Sequence, residues 1–393
     1  MRNLCIGVPC RERRLKTSPV IALVSGLPFK KKTSFYYQLL LLKRSFHAMG
    51  IETILVNPVS GEPHLFSLAG EVTTEDVITE HNRLPSSPLG DLLVKSGVEG
   101  AILLGYPDQF VSGETGIPLF LWTQLSKPPD PRVFKNFIPV PLTVITRNFL
   151  LDAGVQKVGP VIPHGVDSSV YHPLHDEERY AAKKSFFKNN FGKDSTFVAG
   201  TIGANTRRKQ FDRLIQSFSL FCRLVGDLPK AGPLGVTLIL KTDRTVSIDG
   251  IDLRKIAGKY GLSEKVIIID KDLSEGNLAD LYNIMDVYIN LSEWEGFCIP
   301  VIEAMACGIP VITPPMQGPG EIVPYDDLFI APGYAANTEG TKLFFADPAS
   351  TSEILLKAFK DPALCKKLGE TGRREVKNRY DIKTVARQWI ELI

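Results

Sequence analysis

Residues Ser292-Glu293-Trp294-Glu295-Gly296-Phe297-Cys298-Ile299-Pro300-Val301-Ile302-Glu303-Ala304-Met305-Ala306-Cys307-Gly308-Ile309-Pro310-Val311-Ile312 read as the end of a strand, a loop, a helix and a second strand. The β-branched run Val287–Asn290 leads in. Pro300 suits the first turn of a helix, where its missing N–H is not needed. Gly308 and Pro310 end that helix, and Pro310–Thr313 continues as a strand. Backbone amides at a helix start, with the positive end of the helix dipole behind them, form an anion site. The spacing puts Glu295 in the loop and Glu303 in the first helical turn, both beside those amides. Two carboxylates are odd company for a phosphate alone. They make sense if each accepts hydroxyl hydrogen bonds, one from a sugar ring and one from a ribose. Taken singly, Glu303 would be a helix-start acid and Glu295 a solvated loop acid.

The same alternation runs along the whole chain. Strands are expected at Val20–Ser25, Glu52–Val56, Gly100–Leu104, Leu119–Trp122, Leu142–Ile145 and Val158–Ile162. A helix is expected at Ser34–Met49, where Phe35, Leu39, Leu42 and Phe46 recur at helical spacing. A second set of strands covers Phe197–Ile202, Val236–Leu240, Val266–Ile269, Val287–Asn290 and Pro310–Thr313. Helices Arg208–Leu224, Ile251–Tyr260, Asn277–Ile284 and Pro300–Cys307 lie between them. This order predicts an α/β protein of two doubly wound, Rossmann-like domains with parallel sheets. The expected hinge is His164–Pro173, followed by a helix at Asp176–Lys188. The tail from Pro362 to Ile393 is helix-forming, and Val376, Tyr380, Val385 and Trp389 can cover either domain. Open α/β sheets bind ligands beyond the carboxyl ends of their strands, so two facing sheets make a cleft.

Bulk properties narrow the function classes. A chain of 393 residues exceeds one hydrophobic core and suits two domains. No stretch approaches the ~18 apolar residues of a spanning helix. Met1–Lys16 carries charges where a signal peptide needs an apolar run. The six cysteines (Cys5, Cys10, Cys222, Cys298, Cys307, Cys365) form no C-x-x-C pair, which suits reduced thiols and a cytoplasmic setting. Net charge is only +3, yet residues 1–50 hold ten Lys or Arg against one acid, including Lys30-Lys31-Lys32. Such a patch can contact anionic lipid at the membrane periphery, a phosphorylated acceptor or RNA, though a solvated surface is a stronger reading than any one of these. Asp270-Lys271-Asp272 has the form of a metal-binding triplet, but nothing nearby in sequence supplies further ligands, and no metal is expected. Neither G-x-G-x-x-G nor a Walker loop follows any expected strand, which removes dehydrogenase and kinase readings.

Two glutamates separated by seven residues, inside Glu295-Gly296-Phe297-x-x-Pro300-x-x-Glu303-Ala304-Met305-Ala306-x-Gly308-x-Pro310-Val311, resemble the donor signature of family 4 glycosyltransferases. These are retaining enzymes of GT-B fold, also described as glycosyl transferases group 1. Weaker likenesses follow in family order: Ile162-Pro163-His164-Gly165-Val166-Asp167, then Ile202-Gly203 with Arg207-Arg208-Lys209, and the closing helical stretch Arg374–Ile393. The resemblance implies residues 1–166 as an acceptor-side domain and 167–370 as a nucleotide-sugar domain. Residues 371–393 would cross back to the first. It implies that Lys209 and Arg208 neutralise the leaving diphosphate. Glu295 and the amides of Gly296, Phe297 and Cys298 would hold the sugar, and Glu303 the ribose. Gly26, after the first strand, would approach the donor phosphate. No cofactor or nucleic acid is implied; the substrates are a nucleotide sugar and an unidentified acceptor.

Two departures stand out. Cys298 occupies a usual glycine position, and the stretch Phe120–Gln124 lacks the histidine that often contacts the sugar. The stretch Pro324–Ala346 is longer than the usual connection and has no assigned role. A retaining hexosyltransferase is therefore the leading expectation. A nucleotide-sugar epimerase and a catalytically silent nucleotide-sugar-binding protein or partner subunit are the alternatives.

Overall fold

Two runs of short apolar strands build two separate, wholly parallel sheets in the computed structural model, which describes residues 20–26, 33–57, 77–79, 93, 97–110, 116–191, 197–226, 235–338 and 341–393. The first contains β1 (Val20–Ser25), β2 (Glu52–Asn57), β3 (Val77–Thr79), β4 (Gly100–Leu104), β5 (Leu119–Thr123) and β6 (Ile138–Pro141), in the order β3-β2-β1-β4-β5-β6. The second contains β7 (Phe197–Ile202), β8 (Val236–Lys241), β9 (Val266–Ile269), β10 (Val287–Ile289) and β11 (Val311–Ile312), ordered β11-β10-β7-β8-β9. Strands such as β4 and β5 are buried at every position, as expected of a sheet covered on both faces. Strand order reverses between β1 and β4 in one sheet and between β7 and β10 in the other. A doubly wound sheet opens a crevice at such a reversal.

Around the first sheet lie α1 (Ser34–Ala48) and α2 (Val144–Asp152). The second carries α3 (Asp176–Phe191), α4 (Phe211–Gly226), α5 (Leu253–Lys259), α6 (Glu275–Asn283), α7 (Ile299–Ala306), α8 (Gln317–Ile322), α9 (Pro348–Lys360) and α10 (Pro362–Glu375). A π-helical turn, Val376–Tyr380, then leads into α11 (Ile382–Leu392).

Three expectations are corrected. Leu142–Ile145 is not a strand: β6 lies earlier, and Val144 opens α2 after Thr143 caps it, with Thr143 Oγ1 accepting from Thr146 N at 3.1 Å. Pro139 and Pro141 disguise β6 in the sequence, and they are tolerated because it is an edge strand. Val158–Ile162 is not a regular strand either. It runs irregularly along that edge, with Gly159 N donating to Pro139 O at 2.8 Å and Ile162 N to Pro141 O at 3.0 Å. The helix expected from Arg208 begins only at Phe211. Arg207–Lys209 form a separate 3-10 turn, and Gln210 breaks the chain with a left-handed φ of 50°.

Leu39, Leu40, Leu41 and Leu42 of α1 are all buried in the core, which removes them as a membrane-facing surface. The run Lys30-Lys31-Lys32 lies outside the described residues. Pro332–Ala346, without a role in the sequence reading, forms an antiparallel hairpin of β12 (Pro332–Thr338) and β13 (Thr341–Ala346). No helix among the described residues is long and apolar enough to cross a membrane.

The segment expected as the hinge is held from both sides. Gln38, fully buried on α1, donates to Gly165 O at 2.8 Å and accepts from Gly165 N at 2.9 Å. On the other side Val166 N donates to Tyr380 O at 2.8 Å, and Ile382 N to Val166 O at 3.0 Å. A Cβ on Gly165 would fall 2.9 Å from Ile382 Cα, so only glycine fits between the two. Beyond that point α11 returns to the first sheet: Trp389 has no exposed surface, with its ring centroid 6.2 Å from Phe120 and 5.5 Å from Trp122.

Trp389→Ala should cost about 3–5 kcal/mol, the usual loss for a large buried aromatic. Urea denaturation of purified wild-type and variant chains measures it, and a difference within about 0.5 kcal/mol would show that α11 does not anchor the first domain.

Candidate functional site

The loops after β7 and β10 meet at the reversal of the second sheet. After β7 comes the 3-10 turn Arg207–Lys209, and after β10 the loop Ser292–Cys298, which feeds α7. Lys209 Nζ forms an ion pair with Glu295 Oε1. The same oxygen accepts from Arg208 at 2.9 Å and from Ser292 Oγ at 2.8 Å. Burial alone would raise the Glu295 carboxyl; the Lys209 ammonium and the Arg208 guanidinium outweigh it and hold the group below the usual carboxylate range. Arg208 also donates to Trp294 O at 2.5 Å. The sequence reading puts these cations in the first turn of a helix, where they would need an anion. The structure sets them on their own turn, and the protein supplies the anion itself.

Phe297 is a core anchor rather than an exposed lining group. Its ring lies 5.2 Å from His164 and 6.0 Å from Tyr380. Cys298 occupies the N-cap of α7 with φ 92°, a conformation that favours glycine. Burial, with Glu295 adding to it, pushes the Cys298 thiol up to about 12, so the side chain is neutral. Gly296 meets the first domain: a Cβ there would fall 2.5 Å from Gln124 Oε1. Gln124 in turn donates to the Tyr106 hydroxyl at 3.1 Å. Gly26 ends β1 with its amide on Leu104 O at 2.9 Å, and the space a side chain would fill is taken by Gln109. Packing therefore accounts for this glycine.

Glu303 departs from expectation. It sits beyond the first turn of α7, only 5% exposed, and its partners are not those of Glu295. Tyr282 donates to Glu303 Oε2 at 2.7 Å, and Tyr171 hydrogen-bonds to the same carboxyl. Tyr171 in turn bonds to Tyr37 of α1, whose hydroxyl lies 3.4 Å from Glu275 Oε2. Burial pushes the Glu303 carboxyl up to about 7 against those hydrogen bonds, and Glu275 adds to the rise. The two carboxylates of the signature thus belong to separate polar clusters, one on cations and one on tyrosines.

Several residues of the site escape sequence reasoning. Gln210 is buried and donates to Leu291 O at 2.6 Å and Phe344 O at 2.9 Å, fixing both the β10 loop and the hairpin. Gln317 Oε1 accepts from Glu295 N at 2.9 Å. Phe344 N donates to Glu293 O at 2.8 Å, so the unassigned hairpin buttresses the loop. Uncharged glutamines carry no motif signal; Ser292, three residues past β10, is the one the sequence could have pointed to. His164, wholly buried between Trp122 and Phe297, has its pKa depressed by burial to about 3 and is neutral. Asp270 accepts from Thr245 at 2.7 Å, and among the described residues no group of three or more His, Cys, Asp or Glu is gathered for a metal.

Residues 182–375 match the family described as glycosyl transferases group 1. Mannosylfructose-phosphate synthase of Agrobacterium fabrum is 24% identical over 258 residues, 65% of this chain and 51% of that protein. The chain thus spans about half the length of that relative. Among solved structures, sucrose-phosphate synthase from Thermosynechococcus elongatus superposes with a TM-score of 0.69 at 17% identity, covering 95% of this chain and 98% of the other. Anabaena HepE in complex with UDP gives 0.70 at 16% identity, covering 95% and 99%. The shared architecture is GT-B.

The Glu303 proton has a stability consequence. An unfolded chain releases it near pH 4.5 and the folded one near 7, so stability falls as pH rises through that window, by about 3 kcal/mol. Glu303→Gln should melt higher than wild type at pH 8 and nearly level with it at pH 4.5. Equal differences at the two pH values, read by calorimetry, would unlink the group.

Proposed function

We propose, from the match of residues 182–375 to the family described as glycosyl transferases group 1, that this chain is a retaining, metal-independent hexosyltransferase of family 4. It would use a nucleotide-diphosphate sugar and an acceptor still to be identified, with no cofactor. The observation that carries the reading is the pairing of Lys209 and Arg208 with Glu295 at the carboxyl ends of β7 and β10. Cations fixed beside a helix start are what a departing diphosphate requires. Negative charge grows on it as the bond to the sugar breaks, and groups already in place need no reorganisation. Anabaena HepE, a protein of the same fold, was solved in complex with UDP, which supports a nucleotide ligand for the fold.

In this reading residues 1–166 present the acceptor, 167–370 hold the donor, and 371–393 tie the two. Lys209 and Arg208 shift part of their charge from Glu295 to the diphosphate. Glu295 and the amides of Gly296, Phe297 and Cys298 orient the sugar hydroxyls, and Gly26 borders the phosphate from the first domain. Glu303 takes the ribose hydroxyls by exchanging its tyrosine contacts. The acceptor oxygen attacks C1 on the face the nucleotide leaves. The C1–O bond breaks, and the acceptor proton passes to a phosphate oxygen, so no protein nucleophile is needed. Neutral, left-handed Cys298 favours a second reading, in which the site binds a nucleotide sugar without turning it over. A cytoplasmic location is part of the proposal.

A thermal-shift screen of UDP-, GDP- and ADP-sugars should find a stabilising donor, and transfer from it should persist in excess EDTA. Lys209→Ala should lower kcat by about 10²-fold or more, the scale of losing a preorganised charge partner. Turnover abolished by chelation and restored by manganese would overturn metal independence. Binding with no transfer to any acceptor or to water would favour the binding-only reading.

A further inference from the structure

Helix α8 links the loop that carries Glu295 to the other domain. At its start, Gln317 accepts from Glu295 N at 2.9 Å and Gly318 N donates to Glu295 O at 3.1 Å. A Cβ on Gly318 would fall 2.6 Å from the Phe297 backbone, so the two segments touch main chain to main chain. Gln317 holds a left-handed φ of 55°, a costly conformation for a non-glycine residue. Near the end of this short helix, Glu321 reaches across to the first domain. Its Oε1 accepts from Val144 N at 2.8 Å and its Oε2 from Ile145 N at 3.2 Å.

Those amides belong to the first turn of α2, where no helical carbonyl is available to pair them. The Thr143 cap serves only Thr146 N among these donors. A carboxylate there gains twice, from charge-assisted hydrogen bonds and from the positive end of the α2 dipole. Val144 is 44% exposed, so water can take over when the carboxylate withdraws, and the contact can open and close. Other contacts between the domains include Thr341 Oγ1 to Ser126 Oγ at 3.2 Å and Gln124 against Gly296. Arg379 is the cation near Glu321 on its own side.

We propose that Glu321 is a positioning residue, a latch that holds the two domains closed by gripping the first turn of α2 and so fixes the Glu295 loop against the first domain. The latch joins parts of the protein in its ligand-free state and does not depend on which sugar, or any sugar, is transferred.

The test uses the full chain without ligand, by small-angle scattering and by hydrogen exchange of peptides covering residues 142–150. Glu321→Ala should raise the radius of gyration and speed exchange in the first turn of α2 about tenfold or more, the scale set by two charge-assisted hydrogen bonds. Glu321→Asp, one methylene short, should fall between. Val144→Pro supplies an independent arm. It removes one donor while leaving Glu321 in place, and proline is well suited to that first helical position behind an extended Thr143. It should open the domains in the same direction as Glu321→Ala. An unchanged radius and unchanged exchange in both folded variants would overturn the latch. Opening by Glu321→Ala with none by Val144→Pro would move the effect of Glu321 away from α2 and overturn it as well.

Discussion

One carboxylate oxygen, Oε1 of Glu295, gathers an ammonium, a guanidinium and a hydroxyl. A buried carboxylate without such partners would be strongly unfavourable, and two cations so close would repel each other without it. The local chain is arranged to satisfy this knot. Arg207–Lys209 leave the helix and form a turn of their own, and Gln210 adopts a left-handed conformation that lets α4 begin only after the cations have turned inward. The β10 loop is then pinned from three directions, by Arg208 on Trp294, by Gln317 on Glu295 and by Phe344 on Glu293. What looks like a run of surface charge is a cation cluster neutralised by the protein's own carboxylate.

The alternation of buried strands and helices made both sheets legible, because a parallel strand covered on both faces leaves an unbroken apolar run. The loop–helix of residues 292–307 was legible for a different reason: proline, glycine and two acids mark it at fixed offsets. Where local chemistry misleads, tertiary context has won. Pro139 and Pro141 speak against a strand until β6 proves to be an edge, and Val144-Ile145 reads as a strand until Thr143 caps a helix. Glu303 stands out in the sequence as a candidate site residue, but not its tyrosine partners Tyr282 and Tyr171, which come from elements distant in sequence. Glu321 gave no signal at all, since its meaning depends wholly on the amides of a helix in the other domain.

The domain junction shows how little chain is needed to join two sheets rigidly. Gly165 is clasped by Gln38 from the first domain and lies against Ile382 from the tail, so a two-sided main-chain contact replaces a broad interface at that point. Beside it His164 stays neutral between Trp122 of one domain and Phe297 of the other, adding apolar bulk where a charged ring could not survive. The junction is therefore closely packed at Gly165, whereas the contacts of Glu321 are polar and partly exposed.

The return of α11 to the first sheet also orders events during synthesis. Phe120 and Trp122 are made early, but the indole of Trp389 that covers them is added only after every strand of the second domain has been translated. Until then the nascent first domain presents an uncovered aromatic face, the kind of transient surface that draws chaperones or promotes aggregation. Contacts so far apart in sequence close slowly, because the chain between them must first be ordered. The first sheet is thus covered by a helix translated after the whole of the second sheet.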